Sequence, residues 1–197
     1  AIDMELIRKK IMRDMSRNSA LLVAPPVPGY DAALDVLPPA DAEKAKAFEA
    51  KFGYPLAVPE TWEQVKDQAT FFADPPNFYG SQYAGKDEAI VGRYYEMVVA
   101  EGGKLFNDDF SPAFDSEEGK RALQWFVDLY NAKAVPAGTT NYLWDDLGNG
   151  FASGTIALNL DWPGWAGFFN DPSSSKVAGN VGVAPAPKGS AGVRTGW

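Results

Sequence analysis

The residues best equipped for chemistry lie in the stretch 143–165, LWDDLGNGFASGTIALNLDWPGW. Trp162 and Trp165 stand on a loop after an apolar run, where no periodic core face explains them. Asp161 directly precedes the first of the two. An indole plane beside a carboxylate suits a sugar ring: the apolar face of a pyranose stacks on the indole, and its hydroxyls donate to carboxylate or amide oxygens. Trp144, Asp145 and Asp146 open the same stretch. Asp145 or Asp146 taken with Asp161 also offers the two acids that a glycosidase sets roughly 5–10 Å apart across the bond it cleaves. Asp145 is better placed as the N-cap of the short helix that follows, and Asp161 can serve as a turn residue for the loop.

Other clusters carry less. Asn107, Asp108, Asp109 and Asp115 are oxygen ligands of the kind a hard cation takes. The ligand and glycine order of an EF-hand is absent, however, and the stretch reads as a turn followed by a capped helix. No metal site and no catalytic residue is expected. Asn141 and Tyr142, on a loop just before the acidic helix, are placed to reach a ligand. Trp62 and Trp125 recur at helical spacing and are expected in the core.

Composition narrows the possibilities. The 197 residues include 18 Lys and Arg against 26 Asp and Glu, a formal charge of −8, which argues against a nucleic-acid partner. The basic cluster Arg8-Lys9-Lys10 to Arg13 lies among apolar residues on an N-terminal helical pattern and reads as a solvated face. There is no cysteine and no histidine. That removes disulfides, thiol nucleophiles, Cys/His zinc sites and every imidazole base. Apolar residues make up 46%, enough for a packed core. No apolar run approaches the ~18 residues of a membrane helix, and no signal peptide is visible.

The elements that must position these residues follow from pattern. Met4, Ile7, Ile11 and Met15 predict a helix over 3–16; residues 21–24 suit a short strand, and prolines at 25, 26, 28, 38 and 39 mark an irregular stretch. A helix over 40–52 ends at Gly53. Thr61 and Gln64 form a capping-box pattern for a helix carrying Trp62, Val65 and Phe71 or Phe72 inward. A short strand at 78–83 lies between two turns, and a helix over 87–102 stops at Gly102-Gly103. Asp115 and Glu118 cap a helix over 116–132, with Leu123, Phe126 and Leu129 facing a core. A helix at 145–153 and strands at 154–161 and 180–185 complete an alternation typical of an α/β layer.

The order of motifs is itself informative. VPETWEQV (58–65), FYGSQYAGK (78–86), GGKLFND (102–108), FDSEEGKRALQWFVDLY (114–130), WDDLGNGFASGTIALNLDWPGW (144–165), KVAGNVGVAPAPKG (176–189) and a terminal RTGW run in sequence. Together they resemble the second lobe of an extracellular solute-binding protein of a bacterial ABC importer, of the sugar-binding family 1 type. The resemblance covers about residues 40–197. Its more specific pieces are the FxxGxxAx pattern from Phe151 to Ala157 and the GVAPxPKG strand-turn.

That resemblance implies an α/β, periplasmic-binding-protein-like (type II) fold, in which two lobes close like a hinged clamp over a ligand. The family is normally about twice this length, so the chain is expected to be an incomplete clamp: residues 1–52 as a remnant of the first lobe or a linker, and 53–197 as the second lobe. In similar proteins the junction after strand 154–161 faces the cleft, which implies ligand contacts from Asp161, Trp162 and Trp165. Gln82 and Tyr83, at the end of strand 78–83, and Arg194 and Trp197, on the segment leading to a cleft-crossing loop, join them as candidates with Asn141 and Tyr142. The implied function is capture of a sugar or polyol and its delivery to membrane permease subunits. No cofactor and no nucleic acid is implied, and the expected setting is the periplasm or cell exterior, with the protein acting as a monomer. A carbohydrate hydrolase using the acidic pair, and a fragment without independent binding, are the alternatives.

Overall fold

The computed structural model describes residues 42–195. The expected helix 3–16, the strand 21–24, the basic cluster, the proline-rich stretch and Trp197 lie outside the described residues. The chain divides into two compact units, one holding 42–58 with 166–184, the other 59–165 with 185–195. The division thus falls after Val58 rather than after residue 52, and residues 166–184 join the first unit.

In the smaller unit α1 (Ala42–Phe52) buries Phe48, whose ring meets Phe52 at 4.8 Å and the edge of Tyr54 at 5.2 Å. Gly53, at φ +80, turns the chain out of the helix as expected. The short α6 (Ala166–Phe169) buries Phe169. After it, Asp171 accepts from the backbone and hydroxyl of Ser173, an Asx turn that ends the helix.

The core of the larger unit is built on three of its helices. In α2 (Trp62–Phe72) the Thr61 hydroxyl accepts from Gln64 N–H at 3.2 Å. The return bond runs from Glu60 N–H to Gln64 Oε1, one residue earlier than a capping box has it, because Thr61 also forms a parallel bridge with Lys188. α3 (Asp87–Ala100) ends as predicted: Gly102 sits at φ +88 and Gly103 N–H returns to Val98 O at 2.8 Å. α4 (Glu117–Asn131) is capped by Ser116, whose hydroxyl accepts from Gly119 N–H, and not by Asp115. Its buried row is Ala122, Trp125, Phe126 and Leu129; Leu123 falls on the solvent side, 55% exposed. Trp62, Val65, Met97, Val98, Trp125, Phe126 and Leu129 form the core between these helices. Phe71 and Phe72 are only half-buried at the end of α2.

The strand content is lower than an α/β layer suggests. The segments 78–83 and 154–161 do run parallel, with Tyr79 N–H donating to Thr155 O and Ala157 N–H to Tyr79 O, both at 2.9 Å. They share one bridge, Tyr79 to Ile156, rather than a regular ladder. The expected strand 180–185 makes no bridge among the described residues. Gly80 explains part of this geometry: a Cβ there would lie 1.7 Å from Ala69 O, so the segment presses directly on the α2 backbone. Leu158 and Leu160 of the second segment pack on the helical core, which carries its end toward the loop at Asp161.

Candidate functional site

The loop at Asp161 is positioned by three elements of the larger unit. From below, the segment 155–160 is anchored on the core by Leu158 and Leu160. From one side α5 (Trp144–Ala152) contributes Trp144, whose ring meets that of Trp162 at 5.8 Å and 44°. From the other side α3 contributes Arg93, whose guanidinium donates to Leu160 O at 2.9 Å. Asp161 closes the turn onto its neighbour, accepting from Trp162 N–H at 2.8 Å. A single 3₁₀ turn (Pro163–Trp165) then carries the chain away.

The sequence-derived candidates separate into groups. Trp162 is 50% exposed, a large indole left open to solvent beside a second one. Asp161 is half-buried, and its carboxyl is raised above the ordinary value, chiefly because burial disfavours the charge. Hydrogen bonds from Trp162 N–H and the Asn159 amide, and the charge of Arg93, pull in the other direction. Tyr142 is half-buried and packs with Trp144 against Ala84, Ala89 and Leu147, so it shares the aromatic neighbourhood. Asn141, the last residue of the 3₁₀ turn Ala137–Asn141, is exposed beside it.

Other candidates are used structurally. Tyr83 is a core residue rather than an edge residue: it is 8% exposed, its ring meets Phe126 edge-on at 5.0 Å, and its hydroxyl donates to Phe126 O. Burial pushes its phenol up to about 12. Gln82 is likewise buried, and its amide donates to Leu147 O at 2.7 Å and to Asn159 Oδ1 at 2.9 Å. It holds Asn159, which in turn reaches Asp161. Trp165 is half-buried against α5, where Gly148 makes room: a Cβ there would lie 2.6 Å from the indole. Arg194 is exposed in a bridge with Lys188, and its guanidinium donates to Ala186 O, so it is not gathered with Asp161.

The acidic residues ahead of α5 also sort themselves. Asp146, not Asp145, caps the helix: its carboxylate accepts from Leu143 N–H at 2.8 Å. Asp145 and Asp146 are both exposed. Asp109 is engaged by Ser111 N–H and Oγ in a tight turn, next to the antiparallel bridge between Phe106 and Pro112. Sequence reasoning missed Trp144, Asn159 and Arg93 as parts of the site. The Arg93–Glu96 spacing was the available signal, since a charge pair on the buried face of a helix needs a reason.

What the arrangement can do is bind. Two tilted indoles, a raised carboxyl and an amide offer flat apolar surface with hydrogen-bond acceptors at its edge, which is the recognition chemistry of a polyhydroxylated ligand. Comparison with known proteins agrees at the level of family. The chain belongs to the bacterial extracellular solute-binding proteins, whose family model matches residues 23–197. It is 27% identical over 154 residues to a protein of Sinorhizobium fredii described as a probable amino-acid ABC transporter periplasmic-binding protein, covering 77% of this chain and 35% of that one. It is 29% identical over 141 residues to the mannitol-binding protein of Pseudomonas aeruginosa, covering 68% and 31%. Among solved structures it resembles an ABC transporter solute-binding protein of Agrobacterium radiobacter in complex with ribitol. There the TM-score is 0.65 and the identity 29%, covering 76% of this chain and 37% of that one. The chain therefore spans about a third of the length of the relatives it matches.

Proposed function

We propose that this chain supplies one wall of a sugar- or polyol-binding site in a solute-binding protein that delivers its ligand to the permease subunits of an ABC importer. The observation that carries the reading is the Trp144–Trp162 pair, with Trp162 half in solvent and the Asp161 carboxylate beside it. Trp162 stacks the ligand, Asp161 accepts from its hydroxyls, and Tyr142, Asn141 and Asn159 supply further polar contacts. The rest of the protein closes over this wall and buries the ligand. Binding of mannitol and ribitol by relatives supports a linear polyol or small sugar as the ligand class. The protein does no chemistry on it, needs no cofactor, works outside the cytoplasm and acts as a monomer.

Thermal shift of the intact protein against D-mannitol, ribitol, mono- and disaccharides and a set of amino acids tests this reading. A ligand at 100 times its dissociation constant adds ~2.7 kcal/mol of stability. A shift with polyols or sugars that Trp162→Ala removes is the expected result. A shift with amino acids alone would overturn it, and so would reducing ends accumulating from oligosaccharides in wild type but not in Asp161→Asn.

A further inference from the structure

Arg93 and Glu96 form an ion pair one turn apart on α3 with only 12% and 6% of their side chains exposed. Two charges withdrawn from water cost more than an ion pair usually returns, and well-packed apolar residues of similar volume often replace such a pair without loss of stability. The pair is therefore poorly explained as a source of stability. Its geometry offers another explanation. One guanidinium nitrogen donates to Glu96 Oε2, and the other donates to Leu160 O, 67 residues away in sequence. Leu160 is the residue immediately before Asp161. Among the described residues Glu96 Oε1 is buried without a hydrogen-bond partner, and the grip on Arg93 is the one side-chain hydrogen bond that Glu96 makes there. The carbonyl of Glu96 accepts from the Thr195 hydroxyl at 2.7 Å, which ties the segment after Arg194 to the same turn of helix.

We propose that Arg93, held by Glu96, is the positioning residue of the ligand site: it fixes the end of the 155–160 segment through Leu160 and so holds Asp161 beside Trp162 and within reach of its own charge. The planar guanidinium suits this task, because it serves two acceptors in fixed directions. The groups that bear on Asp161 are the charge of Arg93 from α3 and, from its own segment, the Asn159 amide and the Trp162 amide. Those that bear on Arg93 are Glu96, the Leu160 carbonyl and Asp161. Two carboxyls thus share one cation, and both are held above the ordinary carboxylate range, in each case chiefly by burial. The role for ligand binding rests on the proposed function; the electrostatic coupling does not.

The test is therefore read first without ligand. The side-chain carboxyl of Asp161 is titrated by carbon-13 NMR in the intact wild-type protein and in Arg93→Gln, Arg93→Lys and Glu96→Gln, with circular dichroism confirming the fold. Removing the guanidinium charge shifts the Asp161 titration upward, removing the Glu96 charge shifts it downward, and lysine leaves it close to wild type. A purely structural role predicts the opposite for Arg93→Gln, because a loosened loop exposes Asp161 and returns it toward its ordinary value. An unmoved or lowered titration in folded Arg93→Gln overturns the proposal. Should that variant not fold, an unmoved or raised titration in Glu96→Gln does so. Calorimetry with D-mannitol and ribitol is the second arm. Arg93→Lys is expected to weaken their binding at least tenfold while keeping the titration, since the charge remains and the two-acceptor geometry is lost. Wild-type protein that binds neither polyol counts against the polyol reading and leaves the titration to decide the role of Arg93.

Discussion

Trp62 and Trp125 meet edge to face at 5.3 Å and are 2% and 6% exposed, whereas Trp144 and Trp162 meet at 5.8 Å and leave half of Trp162 in solvent. Both pairs belong to the same unit. In the first, Trp125 Nε1 donates to Trp62 O at 2.8 Å, so the indole is locked by a bond between α4 and the start of α2. In the second, order comes from the surroundings: Trp144 from α5, Asp161 from its own turn, and Leu160 from Arg93. The same side chain packs in the core where it is covered and, in the proposed site, would serve recognition where half of it stays in solvent. The difference lies in the neighbouring backbone and not in the residue type.

That contrast is broken most directly by truncating one member of each pair. Trp125→Ala is expected to lose about 3–5 kcal/mol of folding stability, as large core aromatics do, measured by urea denaturation. Trp162→Ala is expected to leave the denaturation midpoint nearly unchanged. It should weaken the binding of a stacked ligand by about 2 kcal/mol, roughly thirtyfold, as loss of a buried aromatic anchor does. The comparison fails if Trp162→Ala costs as much stability as Trp125→Ala, or if it leaves binding of every polyol and sugar unchanged.

The contrast was half legible in the sequence. Helical spacing identified Trp62 and Trp125 as core residues, and the loop setting of Trp162 identified it as exposed. Leu123 faces solvent instead of the core because periods of three and four fit two adjoining stripes of α4. The buried stripe runs through Ala122, Trp125, Phe126 and Leu129, and Leu123 shares the other with Val127 and Tyr130. Gln82 and Tyr83, candidates through the resemblance at the end of strand 78–83, are buried for a different reason. Residues 81–84 are buried on both faces, so no alternation of burial marks which side chain points outward. Arg93 depends on a contact 67 residues away, which no local pattern encodes. The segment NVGVAP at 180–185 carries a local strand pattern, and a partner strand is what a local pattern cannot supply.

A smaller change sharpens the comparison from the side of packing. Gly148 lies buried in α5 beneath Trp165, where an added Cβ would meet the indole at 2.6 Å with ring atoms on either side at under 3 Å. Gly148→Ala gains helix propensity but forces the indole to move, and the net expectation is a loss of about 1 kcal/mol or more in urea denaturation. Trp165→Phe in the same background should recover part of it. If Gly148→Ala instead stabilises the protein, Trp165 is not packed on α5, and it returns to the pool of ligand-facing tryptophans.

The smallest effect separates site from scaffold by sign. The Asp161 carboxyl is raised above its ordinary value of 3.8, chiefly by burial, so the folded protein takes up this proton at higher pH than the unfolded chain. The cost of keeping Asp161 charged is fully present above the folded value and disappears as pH falls below 3.8. Across that window Asp161 makes the protein more stable as acid is added. A polyol that donates to the carboxylate binds less tightly over the same window, because its acceptor is being protonated. Glu101 and Asp128 are held below their ordinary values and lose stability in acid, so the quantity to measure is the difference between wild type and Asp161→Asn, in which their contributions cancel. That difference should shift in favour of wild type in stability as pH drops, while the acid limb of ligand affinity vanishes in Asp161→Asn. Stability and affinity moving together would mean that Asp161 holds the loop and not the ligand.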